Sequence, residues 1–204
     1  MGGFIMIKKF NGWEETQAAR AGGFEKLPAG GYEAKIIGAK VADNANGGQR
    51  LEIAVDITAG EFKDYFKNQF ESSTYDDKKW KGVARFFLPI DDGSKKDNFK
   101  KSLFKAVTQA LEQSNASYRW DWDETKLKGL KVGIMVRDKE YDIDGNHGFC
   151  AEIFEFVDIK LIKEGKFDIP KPKYLNGNSP STPDAPPMPS DNDAQPKSND
   201  DYPF

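Results

Sequence analysis

The clearest pattern in the chain has a period of two. Leu51, Ile53, Val55 and Ile57 alternate with Arg50, Glu52, Ala54 and Asp56, which puts one apolar and one polar face on a β-strand. A strand is also predicted over residues 32–41, with Gly38 at its middle where a bulge or a sharp coil fits. Residues 44–48, Asn-Ala-Asn-Gly-Gly, supply turn chemistry between the two. Residues 81–88 read as a third strand, stopped by Pro89. Residues 131–137 and 151–162 read as a fourth and a fifth, joined by a loop containing Asp144-Gly145.

Between strands three and four the period becomes helical. Phe99, Leu103, Val107 and Leu111, with Phe104 and Ala110 beside them, recur at spacings of three and four and are expected on one face. Lys100, Lys101 and Lys105 fall on other faces. Ser94 followed by Asp97 resembles a capping box with Asp in place of Glu, and the helix is expected to end near Asn115. A short helix is also expected at residues 14–21, ended by Gly22-Gly23. The order strand, strand, strand, helix, strand, strand is that of an OB-fold, a five-stranded Greek-key barrel. The predicted fold class is therefore mainly β: a five-stranded OB-fold-like barrel with one helix between strands 3 and 4. Other small barrels and α+β folds share this order, and OB barrels bind nucleic acids, sugars and proteins, so the fold leaves function open.

Composition changes near Lys173. The following run of Pro, Ser, Asp and Asn has too few apolar residues to offset chain entropy, and disorder is expected there. The predicted organisation is an N-terminal extension (1–30), an OB-fold-like nucleic-acid-binding domain (31–165), a disordered linker (166–199) and an acidic tip (200–204). The net charge of −3 divides unevenly. Residues 177–204 carry five acids and one base, and residues 1–176 carry 28 acids and 29 bases. A body near neutrality cannot hold nucleic acid by charge alone, so aromatic stacking has to carry much of any binding.

Several function classes lose support. No stretch approaches the roughly 18 apolar residues of a membrane helix. The N-terminus lacks the basic-then-apolar order of a signal peptide, and the cytoplasm is the expected location. Cys150 and His147 are the only residues of their types, too few for a zinc site. Cys150 lies in an apolar stretch and is expected to be a buried small residue; His147 is expected in a solvated loop. Asp142, Asp144 and Asn146 suggest a calcium loop, but His147 and Ile153 stand where that loop needs Gly and Glu, so a hairpin turn is the better reading. No P-loop, dinucleotide glycine signature, G-x-S-x-G or H-E-x-x-H motif is present. The expectation is a protein that is not an enzyme and needs no cofactor or metal.

The positive candidates are aromatic and basic. Residues 60–82 interleave Phe62, Tyr65, Phe66, Phe70, Tyr75 and Trp80 with Lys63, Lys67, Lys78, Lys79 and Lys81. Aromatic faces stack on any base while lysines neutralise phosphates, although about half of these rings are expected to pack as a satellite core. Trp80 and Tyr65 are the leading stacking candidates. Alternation points Arg50 outward in strand two, Arg85 outward in strand three on the face of Lys81, and Lys131 and Arg137 outward in strand four. Tyr141 and Lys139 could reach nucleic acid from the loop after strand four. Trp120 and Trp122 stand among Asp121, Asp123 and Glu124, which argues against a phosphate path; they are expected to pack the helix against the barrel. The candidate DNA contacts are therefore Arg50, Phe62, Lys63, Tyr65, Phe66, Lys67, Trp80, Lys81, Arg85, Arg137 and Tyr141.

The last residues, Asp200, Asp201, Tyr202, Pro203 and Phe204, resemble the C-terminal tip of bacterial single-stranded DNA-binding proteins, where acids precede an apolar residue, Pro and a terminal Phe. Tyr202 stands where that family usually has Ile or Leu. The segments GEFKDYF, KKWKG and SYRWDWDETKLKG are similar to single-stranded DNA-binding proteins of Gram-positive phages and mobile elements. The resemblance implies a non-catalytic protein that coats single-stranded DNA in the host cytoplasm and recruits replication, recombination or repair proteins through this tip. In that role Phe204 would fill an apolar pocket and Asp200 and Asp201 would meet a basic rim. Because one barrel offers a short site, self-association would extend it. Two other readings remain open: an RNA-binding or replication-adapter OB module, and a metal-dependent nuclease of a mobile element.

Overall fold

The computed structural model describes residues 8–14, 25–44, 47–74 and 76–175. Most of the helix expected at 14–21, Tyr75, and the tip residues from Asp200 to Phe204 lie outside the described residues. The elements are β1 (Gly30–Asp43), β2 (Gln49–Ile57), α1 (Tyr65–Ser72), β3 (Val83–Phe87), α2 (Lys95–Ser114), a 3-10 turn (Glu124–Leu127), β4 (Lys131–Ile143), β5 (Asn146–Val157) and α3 (Ile159–Lys163).

The strands form one antiparallel sheet in the order β3-β2-β1-β4-β5. β1 carries both halves: its first residues pair with β4 and its length from Ala34 onward pairs with β2. The register slips between Ile36 and Gly38, at the predicted bulge. The two outer strands approach each other, with the Phe86 and Phe156 rings 5.0 Å apart. Period-two alternation fills the interior: Ile53, Val55, Ile57, Ala34, Ile36, Val132, Ile134 and Val136 are all buried, at about 1.5–3 kcal/mol for each large aliphatic side chain. The β4–β5 turn consists of Asp144 (φ 52°) and Gly145 (φ 82°), a two-residue hairpin connection with both φ positive, as the turn reading expected. Among the described residues no helix is long and apolar enough to cross a membrane.

Helix α2 begins and ends where its sequence signals place it. Ser94 Oγ accepts from the Asp97 amide at 3.1 Å, and Asn115 caps the other end. Its buried face is not the one expected. Phe104, Val107, Ala110 and Leu111 are buried, but Phe99 and Leu103 are 63% and 52% exposed. Each four-residue step rotates about 40° on a helix of 3.6 residues per turn, so Phe99 and Leu103 turn away from the sheet that holds Val107 and Leu111.

Three further elements depart from expectation. The connection after β2 contains α1, which packs on the outside of β2. Asp56 is buried there, and its Oδ1 accepts from the amides of Ile57 and Phe66, each at 3.0 Å. A Cβ on Gly82 would stand 2.5 Å from the Phe66 ring and 2.6 Å from the Val55 carbonyl, so only glycine permits this close approach. The fifth strand stops at Val157, not at Ile162. Asp158 Oδ1 accepts from the Lys160 amide at 3.0 Å and starts the short helix α3. Ile162 of α3 and Phe167 then cover Gly31 of β1, where a Cβ would meet them at 2.5 and 3.0 Å. Cys150 is exposed, not buried: it faces Lys139 on a β4–β5 ribbon that extends beyond the part of β4 paired with β1. His147 is exposed as expected but lies within β5, with Nε2 2.7 Å from Glu140 Oε1.

Candidate nucleic-acid interface

Antiparallel register builds a charged patch on the outward face of β1, β2 and β3. Lys40 lies opposite Glu52, Glu52 opposite Arg85, and Arg50 opposite Phe87. Glu52 Oε1 accepts from Arg50 Nε at 2.9 Å and from Arg85 Nε at 3.3 Å, while its Oε2 stands 3.6 Å from Lys40 Nζ. Burial pushes this carboxyl upward, but hydrogen bonds and charge from Arg50 and Arg85 outweigh it and hold Glu52 below the ordinary range. Three cations thus surround one carboxylate, leaving excess positive charge. Phe87 is 52% exposed beside Arg50. It was missed as a candidate, although positions 81, 83, 85 and 87 share one strand parity.

The aromatic and lysine segment has a different character. Phe66 is buried in the core. Tyr65 Oη donates to the Glu25 carbonyl at 2.7 Å and accepts from the Leu27 amide at 3.1 Å, tying α1 to the segment before β1. Trp80 Nε1 donates to the Val55 carbonyl at 3.0 Å, and its ring packs 5.8 Å from Phe70. Phe62 stands edge-on between Tyr32 (5.9 Å) and Tyr65 (6.2 Å). Burial pushes the Tyr65 hydroxyl above its ordinary pKa, and carries Tyr32 up to about 12. Only about half of these rings were expected to pack; Phe66 belongs to the main core, Phe62, Tyr65 and Trp80 pack against it, and Phe70 packs on Trp80. Phe66 offers no open face for stacking, and the polar edges of both leading candidates are held by backbone groups. Lys63, Lys67 and Lys81 are exposed around this cluster, Lys67 at 4.0 Å from Glu71.

Arg137 and Tyr141 belong to the β4–β5 ribbon. Arg137 donates to the single oxygen Glu152 Oε2 from both Nη2 (2.7 Å) and Nε (2.8 Å), and its guanidinium lies 4.5 Å over the Phe154 ring. Lys139 and Lys173 approach the same carboxylate at 3.1 and 3.8 Å. Burial pushes Glu152 upward, and the opposing Arg137 and Lys139 contacts bring it below its ordinary value. The Tyr141 ring covers Gly148, where a Cβ would meet its hydroxyl at 2.9 Å. Lys173 pairs with Lys139 as a parallel bridge, so chain in the region expected to be linker adds to the free edge of β4. Arg50 and Arg85 therefore share one network, and Arg137 belongs to another.

Trp120 packs as expected, edge-on to Phe104 at 5.7 Å. Trp122 does not: it is 79% exposed, with φ 69°. No protein-family model matches the sequence, and no curated protein matches it.

Proposed function

We propose that this protein binds single-stranded DNA, without catalysis, along the outer face of β1, β2 and β3. The observation that carries the reading is the row in which Arg50, Arg85 and Lys40 surround Glu52 with Phe87 exposed beside them. Phosphates pair with the cations while bases stack on the ring, a combination that tolerates any sequence. The strand order and the approach of β3 to β5 support an OB-like barrel, whose second and third strands form the nucleic-acid face. Lys63, Lys67 and Lys81 extend the phosphate path, and Arg137, Lys139 and Tyr141 flank it from the β4–β5 ribbon. In this reading the residues from Asp200 to Phe204 recruit replication, recombination or repair proteins, as the resemblance of that segment implies.

Fluorescence anisotropy with labelled oligothymidine, the matching duplex and an RNA of the same length tests the proposal. Single-stranded DNA is expected to bind most tightly. Phe87→Ala is expected to weaken it roughly 5- to 150-fold, the equivalent of one stacked base. Equal binding of duplex, or none of either, overturns the reading. Tighter binding of RNA selects an RNA-binding module instead, and magnesium-dependent cleavage of the oligonucleotide selects a nuclease.

A further inference from the structure

A cleft of about 640 Å³ opens between α2 and the end of the sheet nearest the β1–β2 turn. That size lies within the usual range for small-ligand sites. Its walls are Val41, Leu51 and Leu88 on one side and Phe104, Trp120 and Trp122 on the other. We propose that this cleft is a nucleobase subsite, in which an unpaired base stacks on Trp122. The inference rests on the single-stranded DNA reading above and extends its path beyond the sheet face.

Four features support a base as the occupant. First, Trp122 presents most of its indole to solvent from a left-handed backbone conformation, which a non-glycine residue holds only under strain. Burial does not repay this strain, since the ring is 79% exposed. It stands 6.1 Å from Trp120 and 6.3 Å from Phe104, forming one side of an aromatic mouth. Second, Trp120 also lines the cleft and stands edge-on to Phe104, with ring centroids 5.7 Å apart. A planar base entering the mouth therefore meets aromatic surface on more than one side.

Third, the charges of the lining cancel. Lys101 is bonded to Asp91 and stands 3.4 Å from Asp97, and the remaining charged groups, Lys105 and Glu124, are opposite in sign. Such a site suits a neutral planar ring and offers little to a bare phosphate. Fourth, the wall residue Leu88 directly follows Phe87. Adjacent residues of a strand lie about 3.3 Å apart along its axis and face opposite ways. A DNA strand crossing at Arg85 and Phe87 therefore reaches the cleft by turning over the end of β3.

The test compares the full chain with Trp122→Ala and Trp122→Phe on oligothymidines of graded length. Trp122 is largely exposed, so both variants are expected to melt as the parent does. Trp122→Ala is expected to lose roughly 5- to 150-fold in affinity on oligomers long enough to reach the cleft. Trp122→Phe, which keeps a ring, is expected to recover most of the loss. Photo-crosslinking with iodouracil-substituted oligomers should place adducts within residues 118–124. Parental affinity of Trp122→Ala at every length, without such adducts, overturns this subsite and leaves the sheet-face reading intact. Absence of oligothymidine binding by the parent protein overturns both.

Discussion

Glu52 sets how much positive charge the outer face of β1, β2 and β3 presents. It sits between Arg50, Arg85 and Lys40, so it orders these side chains and, on the proposed reading, competes with phosphate for them. Glu52→Gln keeps the shape and removes the competitor. The variant is expected to bind oligothymidine roughly two- to tenfold more tightly at low ionic strength, with the gain fading as salt screens it. Anisotropy across a salt series checks this, and an unchanged curve would show that the arginines do not meet phosphate. Stability moves the other way. The carboxyl titrates below its ordinary 4.5 in the folded state, so its stabilisation is complete above that value and is lost as pH falls through the lowered one. The parent is expected to be more stable than Glu52→Gln at neutral pH, and thermal melts of the two should converge in acid. Strand parity alone located Arg50 and Arg85, and the same rule leads to Phe87. Parity cannot separate a stacking ring from a packing ring, because both tasks use the same residues. Tyr65 and Trp80 were legible as aromatics beside lysines, but the backbone carbonyls of Glu25 and Val55 that hold them come from distant parts of the chain.

Helix α1 is held to the sheet by a buried acid. Asp56 lies on the polar parity of β2, yet it is inaccessible because α1 covers it and its carboxylate receives the Ile57 and Phe66 amides. Burial raises its pKa above the ordinary 3.8, against the lowering effect of those amides. A raised folded value means that the charged form is penalised, and the penalty sets in as pH rises from the unfolded value through the folded one. Asp56→Asn retains an acceptor and removes the charge, so its melting temperature at neutral pH is expected to equal or exceed that of the parent. Asp56→Ala strands two buried amides at about 1–3 kcal/mol each and is expected to melt several degrees lower. Calorimetry on both variants separates the roles: equal losses would mean that the charge itself holds α1. This helix was hard to see because Asp64 at its start has φ 59° and makes no side-chain cap. The remaining clue was the spacing of Phe62, Tyr65, Phe66, Gln69 and Phe70, which is helical. Helix α2 carried a cap signal in Ser94 and Asp97 and was legible to within a residue. Its exposed Phe99 and Leu103 were not, since a four-residue repeat suggests a single face until its rotation is counted.

At the scale of the whole chain, charge is segregated. Residues 177–204 carry a formal −4, and the preceding 176 residues carry about +1. The body's positive charge is local: it gathers where Arg50, Arg85 and Lys40 outnumber Glu52, and again where Arg137, Lys139 and Lys173 outnumber Glu152. A tethered segment of opposite sign acts at high effective concentration on such patches. On the proposed reading it competes with DNA whenever screening is weak, with each acid standing in for a phosphate. Deleting residues 177–204 is expected to tighten oligothymidine binding severalfold near 20–50 mM salt, where the Debye length is roughly 14–22 Å by scaling from 10 Å at 0.1 M. The truncated and full-length curves should converge as salt approaches 1 M and the screening length falls to about 3 Å. Truncation should also steepen the salt dependence, because an intramolecular competitor weakens in step with the phosphate contacts it opposes. Parallel curves offset by a constant factor would point to an apolar contact of the tail, through Tyr202 and Phe204, in place of charge competition. Superimposed curves would show that the tail leaves the sheet face alone and acts only on partners.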